Sequence, residues 1–225
     1  MHKKTKTIFI SRQLSSDSVF LDSFNPAKFN VIGKSLIEFK PILFKEVPSS
    51  DWLFFYSKNG VKYFFEQIAK PNALPQLATI GTSTAQYLEE HYPFQVSFIG
   101  TGDPQSTATQ FLKQAKGLDI TFVQAMQSKQ SVQLLLGKQI NSKSLIVYKN
   151  SPIKDIKNPD ADILVFTSPM NAEIYFQHFP YVETLEIVAI GKSTAKTLKK
   201  LGIRNYLIAD APNEEALAKK VLELT

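Results

Sequence analysis

The sequence of 225 residues contains no cysteine, which excludes disulfide bonds, thiolate nucleophiles and sulfur-based metal sites. Its three histidines, His2, His91 and His178, are scattered, and no two have the i,i+4 spacing of a helical metal site. No apolar run reaches the roughly 18 residues that a membrane-spanning helix needs. The short apolar run in MHKKTKTIFI predicts a first strand and not a signal peptide. We therefore expect a cytoplasmic protein that binds no metal and does not enter a membrane.

An excess of basic residues gives the chain a formal net charge of +6, from 26 Lys and Arg against 20 Asp and Glu. This charge has two interpretations: solvated surface lysines, or attraction of an anionic partner such as a nucleic acid or a small polyanion. The lysines do not form long blocks, and the sequence has neither an RNP-like aromatic motif nor zinc-finger spacing. We therefore do not expect nucleic acid as a partner, and a nucleic-acid-binding module is only the third functional hypothesis.

The segment AIGKSTA at 189–195 contains the Gly-Lys-Ser/Thr that closes a phosphate-binding P-loop. A P-loop also needs a glycine five positions before that Gly. Here the position is Glu186, and EIVAI at 186–190 has the pattern of a buried strand. A nucleotide site of this kind is therefore not expected. The segment IGTSTA at 80–85 is nearly identical to IGKSTA at 190–195, and this internal match is the more informative observation.

Short apolar runs alternate with segments of helical spacing along the chain. Val61, Phe64, Phe65 and Ile68, for example, recur at i, i+3, i+4 and i+7. This alternation predicts an α/β protein with mostly parallel sheets that are covered on both faces. The predicted strands are 7–11, 35–40, 52–57, 77–80, 95–100, 119–123, 144–149, 162–168, 186–190 and 205–209.

Two pairs of segments repeat at nearly the same distance along the chain. FYSKNGVKYFF at 55–65 aligns with FTSPMNAEIYF at 166–176, and IGTSTAQYL at 80–88 aligns with IGKSTAKTL at 190–198. The offsets are 168 − 57 = 111 and 191 − 81 = 110 residues. This period is too long for a solenoid and predicts two similar α/β domains.

Two extended, proline-containing segments, 34–47 and 143–156, fit neither copy of the repeat and stand where the chain would pass between copies. We interpret them as a pair of connecting strands, which makes the first domain discontinuous and the second an insertion. Two crossings of this kind predict a hinge with a cleft between the lobes. The expected boundaries are 1–37 plus 152–225 for the first α/β lobe, 42–146 for the inserted lobe, and about 38–41 and 147–151 for the connectors.

In both copies a strand ends in Ile-Gly, hydroxyl residues follow, and a helix begins. Two interpretations stay open for Thr84 and Thr194: they cap or pack in the first helical turn, or their turns hold carboxylates or phosphates. Ser57 and Ser168 begin a second matched pair of turns of the same character. Such turns stand at the carboxyl ends of strands, where open α/β sheets bind ligands.

These residues resemble one known family. The string DILVFTSP at 162–169, followed by EIVAIGKSTAKTLKKLG at 186–202, is similar to uroporphyrinogen-III synthases. The opening Ser11-Arg12, the pair Val147-Tyr148 and the closing PNEEAL at 212–217 also resemble the family, in the same order. The resemblance implies a HemD-like fold of two α/β lobes joined by a two-stranded connector, with the first lobe discontinuous.

The resemblance implies a cofactor-free lyase of tetrapyrrole (haem or sirohaem) biosynthesis. Such an enzyme converts hydroxymethylbilane, a linear tetrapyrrole with eight carboxylates, to uroporphyrinogen III, with loss of water and inversion of ring D. As partners we expect this substrate and a transient contact with hydroxymethylbilane synthase, and we take a monomer as the default. The alternative is a non-catalytic two-lobed protein that binds a small polyanionic ligand.

The resemblance also implies roles for particular residues. Tyr148 would lie at the cleft and assist the departing hydroxyl, although it could equally be an amphipathic strand residue. Arg12 would bind a carboxylate, or else be a surface residue. The candidate substrate-binding residues are Thr194, Ser193, Lys192, Gly191, Ser168, Thr167 and Arg12, with Ser57 and Thr84 as equivalents in the inserted domain. The chain departs from the family pattern at Lys58, where proline is common, and at Asn150, where threonine is common.

Overall fold

The computed structural model describes residues 5–68 and 74–225. The chain divides into two compact units, Met1–Glu38 with Pro152–Thr225 and Phe39–Ser151. In chain order the elements are β1 (Lys6–Ile10), α1 (Val19–Asp22), β2 (Phe29–Gly33), β3 (Ile37–Pro41), β4 (Trp52–Phe55), α2 (Lys58–Phe65), β5 (Gln76–Thr79), α3 (Thr82–His91), β6 (Phe98–Ile99), α4 (Pro104–Ala115), β7 (Asp119–Ala125), α5 (Ser131–Leu136), a 3₁₀ turn (Gly137–Gln139), β8 (Asn141–Pro152), β9 (Ile163–Phe166), α6 (Pro169–His178), β10 (Glu186–Ala189), α7 (Lys192–Lys200), β11 (Leu207–Ile208) and α8 (Glu214–Leu222).

The unit formed by Met1–Glu38 and Pro152–Thr225 is built on a five-stranded parallel sheet in the order β11-β10-β9-β1-β2. Side chains alternate between its two faces, and each face has its own buried cluster. In β9, for example, Leu164 and Phe166 contribute to one cluster and Ile163 and Val165 to the other. All four are fully buried, as a sheet covered on both faces requires.

The unit Phe39–Ser151 is built on a six-stranded sheet in the order β3-β8-β7-β4-β5-β6. Here β7 is parallel to both β4 and β8, and β5 is parallel to β4 and β6. Phe54, Phe111 and Phe122 pack in the cluster on one face, with ring centroids of Phe54 and Phe111 5.3 Å apart. Phe55 and Phe64 pack in the cluster on the other face. The predicted α/β class with parallel sheets is confirmed.

The internal repeat extends to the backbone torsions. Ser57 (φ −164°, ψ 160°) and Ser168 (φ −158°, ψ 155°) precede α2 and α6 in the same conformation. Gly81 (φ −172°, ψ 171°) and Gly191 (φ 178°, ψ −179°) likewise precede α3 and α7 in nearly the same extended backbone. The strand order β11-β10-β9-β1-β2 matches β6-β5-β4-β7-β8 element for element. Each unit therefore places two matched helix starts at the carboxyl edge of its sheet.

Several predicted element boundaries were wrong. The strand expected at 95–100 is limited to Phe98–Ile99, and the one expected at 205–209 to Leu207–Ile208. Strand β2 was not predicted. The connecting segment 143–156 contains most of β8, and residues Asn141–Tyr148 of this strand pair with β7 in the second sheet. The short strands give a weak apolar signal in the sequence. The pairing of β8 with β7 depends on contacts between separate segments, which a local pattern does not show.

Candidate functional site

In the first unit the strand order reverses between β1 and β9, and open α/β sheets bind ligands outside the carboxyl ends of strands at such a point. Ser11 and Thr167 follow these two strands. The Thr167 N–H donates to Ser11 Oγ at 2.8 Å, and Thr167 Oγ1 donates to the Ser11 carbonyl at 3.0 Å. These bonds join the ends of two neighbouring strands. Ser11 was not among the predicted site residues, although its position in the opening motif was a usable signal.

Helix α6 begins directly after this pair. Ser168 is its N-cap, and Ser168 Oγ accepts from the Asn171 N–H at 3.2 Å and from Asn171 Nδ2 at 2.9 Å. Asn171 is itself buried, and its Oδ1 accepts from the Leu36 N–H at 2.8 Å. Pro169 occupies the first turn, where its missing N–H costs nothing. The structure therefore gives Ser168 a capping role at this edge of the sheet.

Helix α7 follows the neighbouring strand β10 and begins at the same edge of the sheet. Its N-cap is Gly191, which has no side chain, so its first N–H groups receive no side-chain cap. The interpretation of Thr194 as a capping residue is therefore wrong, and the same holds for Thr84, since the N-cap of α3 is Gly81. Both threonines instead pack as buried residues in the first turn. The sequence suggested a cap because hydroxyl residues cluster near the predicted helix start, but each helix begins directly after its glycine.

The two matched glycines have different surroundings. A Cβ added at Gly81 would lie 3.2 Å from Gly102 Cα, so the loop after β6 closely covers the start of α3. A Cβ added at Gly191 would meet no described atom within 4 Å. The start of α7 instead borders a pocket of about 390 Å³ that is lined by Ile190, Gly191, Lys192 and residues 208–212. Unsatisfied helix N–H groups with open space before them favour an anion.

The start of α7 also contains a buried hydroxyl, that of Thr194. The residue is fully buried, and its Oγ1 has no hydrogen-bond partner among the residues that the structure describes. A buried hydroxyl without a partner costs about 1–3 kcal/mol. Lys192 and Ser193, in contrast, are exposed at the same turn. The turn therefore presents backbone donors and a positive charge, and beneath them lies a buried hydroxyl whose hydrogen bonding is incomplete.

Arg12 is paired within the same unit. Its Nη1 lies 3.6 Å from Glu214 Oε1. Glu214 Oε2 accepts from Ser18 Oγ at 2.7 Å and from the Phe20 N–H at 3.2 Å, which joins α8 to the start of α1. The hydrogen bond from Ser18 is the main cause that lowers the pKa of Glu214 from its ordinary value, with help from the Phe20 N–H and the charge of Arg12. Burial, the second-largest effect, and the nearby charge of Asp17 act in the opposite direction. The side chain of Arg12 stays 44% exposed beside this partner.

In the second unit, Ser57 and Tyr148 are in direct contact. Ser57 Oγ accepts from the Gly60 N–H at 3.0 Å as the N-cap of α2, and it lies 3.0 Å from Tyr148 Oη. Tyr148 is 6% exposed. Burial raises the pKa of Tyr148 above its ordinary value of 10, while the hydrogen bond with Ser57 acts in the opposite direction. The phenol is therefore protonated at neutral pH and can donate a hydrogen bond.

Within each unit the predicted residues gather at the carboxyl edge of the sheet. Thr167 with Ser168, and the turn 191–194, follow the adjacent strands β9 and β10, whose ends are joined by the Ile190 N–H to Phe166 carbonyl bond of 2.9 Å. Ser57 and Thr84 follow the adjacent strands β4 and β5. Over residues 5–68 and 74–225, no three acidic or histidine side chains cluster to form a metal site, and none of the helices is long and apolar enough to cross a membrane.

The comparisons with known proteins identify the family of this chain. The family model described as uroporphyrinogen-III synthase HemD matches residues 24–219. The chain belongs to the uroporphyrinogen-III synthase family. A curated relative, the uroporphyrinogen-III synthase of Chlorobaculum parvum, is 25% identical over 97% of this chain and 98% of its own length. The resemblance noted in the sequence is thereby confirmed.

Solved structures of this family share the fold. The structure of uroporphyrinogen-III synthetase from Helicobacter pylori has a TM-score of 0.77 and 22% sequence identity, over 99% of this chain and 100% of that one. A mutant uroporphyrinogen III synthase from Thermus thermophilus has a TM-score of 0.58 and 15% identity, over 98% and 97% of the two chains. At these identities the likeness supports the fold of the family and not the role of any side chain.

The lowered pKa of Glu214 predicts a pH-dependent contribution to stability. A carboxylate whose pKa is lowered by folding stabilises the folded state above its ordinary pKa of 4.5, and this contribution is lost as the pH falls through the lower folded value. Glu214→Gln should therefore reduce the free energy of unfolding by about 1 kcal/mol at pH 7, because a charge-assisted hydrogen bond becomes a neutral one. The difference from wild type should shrink at pH 3. Urea unfolding at the two pH values measures it.

The matched control is Glu215→Gln, which removes the same charge from the next position of the first turn of α8. Glu215 is exposed and should show a smaller change at pH 7. Equal losses for the two variants, or a loss in Glu214→Gln that does not depend on pH, would contradict the assigned role of Glu214.

Proposed function

We propose that this protein cyclises hydroxymethylbilane to uroporphyrinogen III, with inversion of ring D and loss of water. The observation that carries this proposal is the family match over residues 24–219, which covers all of the second unit and most of the first. The named curated relative covers almost the whole chain as well. The site geometry described above supports the proposal because its donors suit a substrate with many carboxylates.

The carboxyl edge of the first sheet supplies the anion-binding part of the proposed site. The starts of α6 and α7 stand side by side there, and both direct the positive ends of their helix dipoles to the same edge. Lys192 adds a full charge, and Gly191 leaves space for a carboxylate to reach the backbone N–H groups. We assign Ser193, Thr194, Ser168, Thr167 and Arg12 to the surroundings of the same bound carboxylates. Binding several carboxylates at fixed positions restricts a flexible chain, and such positioning lowers the barrier to ring closure.

The phenol of Tyr148 is the proposed general acid. The reaction begins when the C–O bond of the hydroxymethyl group breaks and the hydroxyl leaves as water, with formation of an azafulvene. A protonated phenol beside the departing oxygen stabilises the charge that develops there, and the burial of Tyr148 keeps it protonated at neutral pH. The substituted carbon of ring D then attacks the azafulvene to form a spirocyclic intermediate, and rearrangement of this intermediate inverts ring D and closes the macrocycle. Thr84 is the counterpart of Thr194 in the second unit, and we assign it to the surroundings of the bound substrate.

The finer expectations about partners and location stay predictions. These are a transient contact with hydroxymethylbilane synthase, a monomeric state, a cytoplasmic location, and a hinge with a cleft. None of them is needed for the anion-binding turn of α7 or for the hydroxyl pair of Tyr148 and Ser57.

Thr194→Val tests whether the buried hydroxyl contacts substrate. Valine keeps the shape of threonine but lacks the hydroxyl that has no partner, so the melting temperature should be unchanged or higher. If substrate accepts a hydrogen bond from Thr194, kcat/KM for isomer III should fall about five- to tenfold, the worth of roughly one hydrogen bond. Thr197→Val, one turn later on the same helix, is the control for β-branched packing and should not lower kcat/KM. Full activity in Thr194→Val would assign Thr194 to packing alone.

The ratio of product isomers tests the proposed reaction. Hydroxymethylbilane closes without enzyme to isomer I, so purified protein should raise the proportion of isomer III with enzyme concentration. After oxidation to porphyrins, the two isomers are separated by chromatography and compared with an enzyme-free sample. A product that stays isomer I at high enzyme concentration would contradict the proposal. Tight binding of uroporphyrinogen III without any change of isomer would instead favour a non-catalytic binding protein.

A further inference from the structure

A β-bulge in strand β8 directs Tyr148 to the face that α2 covers. Gln124 of β7 pairs with Ile146, but the next residue, Ala125, pairs with Tyr148, so Val147 is an additional residue in β8. Neighbouring strand residues normally point to opposite faces. Here Val147 and Tyr148 are both buried in the same cluster, together with Leu145. Bulges re-aim side chains in this way and are frequent next to active sites.

The ring of Tyr148 is fixed by two aromatic neighbours. Tyr63 of α2 stacks on it with ring centroids 5.4 Å apart and an interplanar angle of 23°. Tyr63 is held in turn, because its hydroxyl donates to the Phe39 carbonyl at 3.1 Å. The ring of Phe39 lies 6.1 Å from that of Tyr148 on a tilted plane. With the ring held by packing, the remaining freedom of Tyr148 is the direction of its hydroxyl proton.

Ser57 is placed to set that direction. One lone pair of Ser57 Oγ accepts from the Gly60 N–H at the start of α2, and Tyr148 Oη lies 3.0 Å away. If the Ser57 hydroxyl donates to Tyr148 Oη, the proton of Tyr148 must point elsewhere and is available to another acceptor. Hydrogen bonds in such a chain polarise one another, and the positive end of α2 adds to the effect.

In the described part of the chain, the matched turn of the first unit, at Ser168, has no tyrosine hydroxyl beside its serine. Ser168 caps α6 with nearly the same torsions and the same bond to the third following N–H. Its second partner is Asn171 Nδ2 and not a phenol. The strand that corresponds to β8 is β2, Phe29–Gly33, which contains no tyrosine. The duplicated turn therefore explains the serine as a cap, but it does not explain the contact with Tyr148.

We infer that Ser57 is a positioning residue, which donates a hydrogen bond to Tyr148 Oη and thereby directs the phenol proton toward the departing hydroxyl of the substrate. Ser57 is then not a ligand of substrate carboxylates, the role expected from the sequence. This inference rests on the proposed function, since it takes Tyr148 as the acid. Its contribution to the rate should depend entirely on the presence of the Tyr148 hydroxyl.

A double-mutant cycle in the full-length protein tests this dependence. Ser57→Ala should lower kcat for isomer III about five- to tenfold, the worth of roughly one hydrogen bond, with little change in KM. Tyr148→Phe should lower kcat about 100-fold or more. Ser57→Ala should have no further effect on kcat in the Tyr148→Phe background, although it should lower the melting temperature in both backgrounds because α2 loses its cap. Ser57→Thr retains a hydroxyl and should restore most of kcat.

The matched control for lost capping is Asp103→Ala. Asp103 is the N-cap of α4 in the same unit and accepts from the Ser106 N–H at 2.8 Å. This variant should lower the melting temperature as Ser57→Ala does, but it should leave kcat unchanged. An equal loss of kcat in Asp103→Ala would assign the effect of Ser57 to stability and overturn the inference.

A spectroscopic measurement reports the contact without turnover. In protein labelled with ¹³Cζ-tyrosine, the Tyr148 signal is identified by its loss in Tyr148→Phe. Its shift at neutral pH should move in Ser57→Ala, recover in Ser57→Thr and stay unchanged in Asp103→Ala. An unmoved signal in Ser57→Ala, or a full Ser57→Ala effect on kcat in the Tyr148→Phe background, would overturn the inference.

The failure of this inference differs from that of the proposed function. Unchanged kcat in Tyr148→Phe would remove Tyr148 as the acid and overturn the inference, while isomer III would still form. Formation of isomer I alone by the wild-type protein would overturn the proposed function.

Discussion

The structure depends on one constraint: a helix that follows a parallel strand leaves its first N–H groups without intrahelical partners, and these groups must be satisfied at the carboxyl edge of the sheet. The protein meets this constraint with a side-chain oxygen at only two of its four matched helix starts. Ser57 and Ser168 satisfy an N–H of α2 and α6 with a side-chain oxygen. Gly81 and Gly191 provide no such oxygen to α3 and α7. The glycine turns therefore need other partners, and an anionic substrate is well suited to be one.

Duplication produced matched turns, and their surroundings then diverged. Gly102 covers the start of α3, whereas the start of α7 borders a pocket and includes a buried hydroxyl without a described partner. Among the serine turns, only that of α2 holds a tyrosine hydroxyl. The first unit thus has the more open helix start, and the second unit has the buried phenol.

The sequence was sufficient for the α/β class, the repeat and the family, because buried strands, glycine turns and their order are local patterns. It was not sufficient for the partners of the site residues. The contact between Ser57 and Tyr148 spans 91 residues and requires a one-residue bulge in β8, for which the apolar pattern of SLIVYK gives no signal. The pairing of Arg12 with Glu214 likewise joins distant segments. The sequence left open whether Thr84 and Thr194 cap their helices, because it does not show which residue ends the extended backbone before a helix.

The most direct measurement of the central claim is an amide NMR titration of ¹⁵N-labelled protein with uroporphyrinogen III under anaerobic conditions. The product retains the carboxylates of the substrate, so it should bind to the same donors. If the start of α7 binds carboxylates, the N–H groups of residues 192–194 should show large shifts. Residues 182–185, which precede β10 at the opposite edge of the sheet, should change little. Shifts confined to residues 182–185, with none at 192–194, would contradict it.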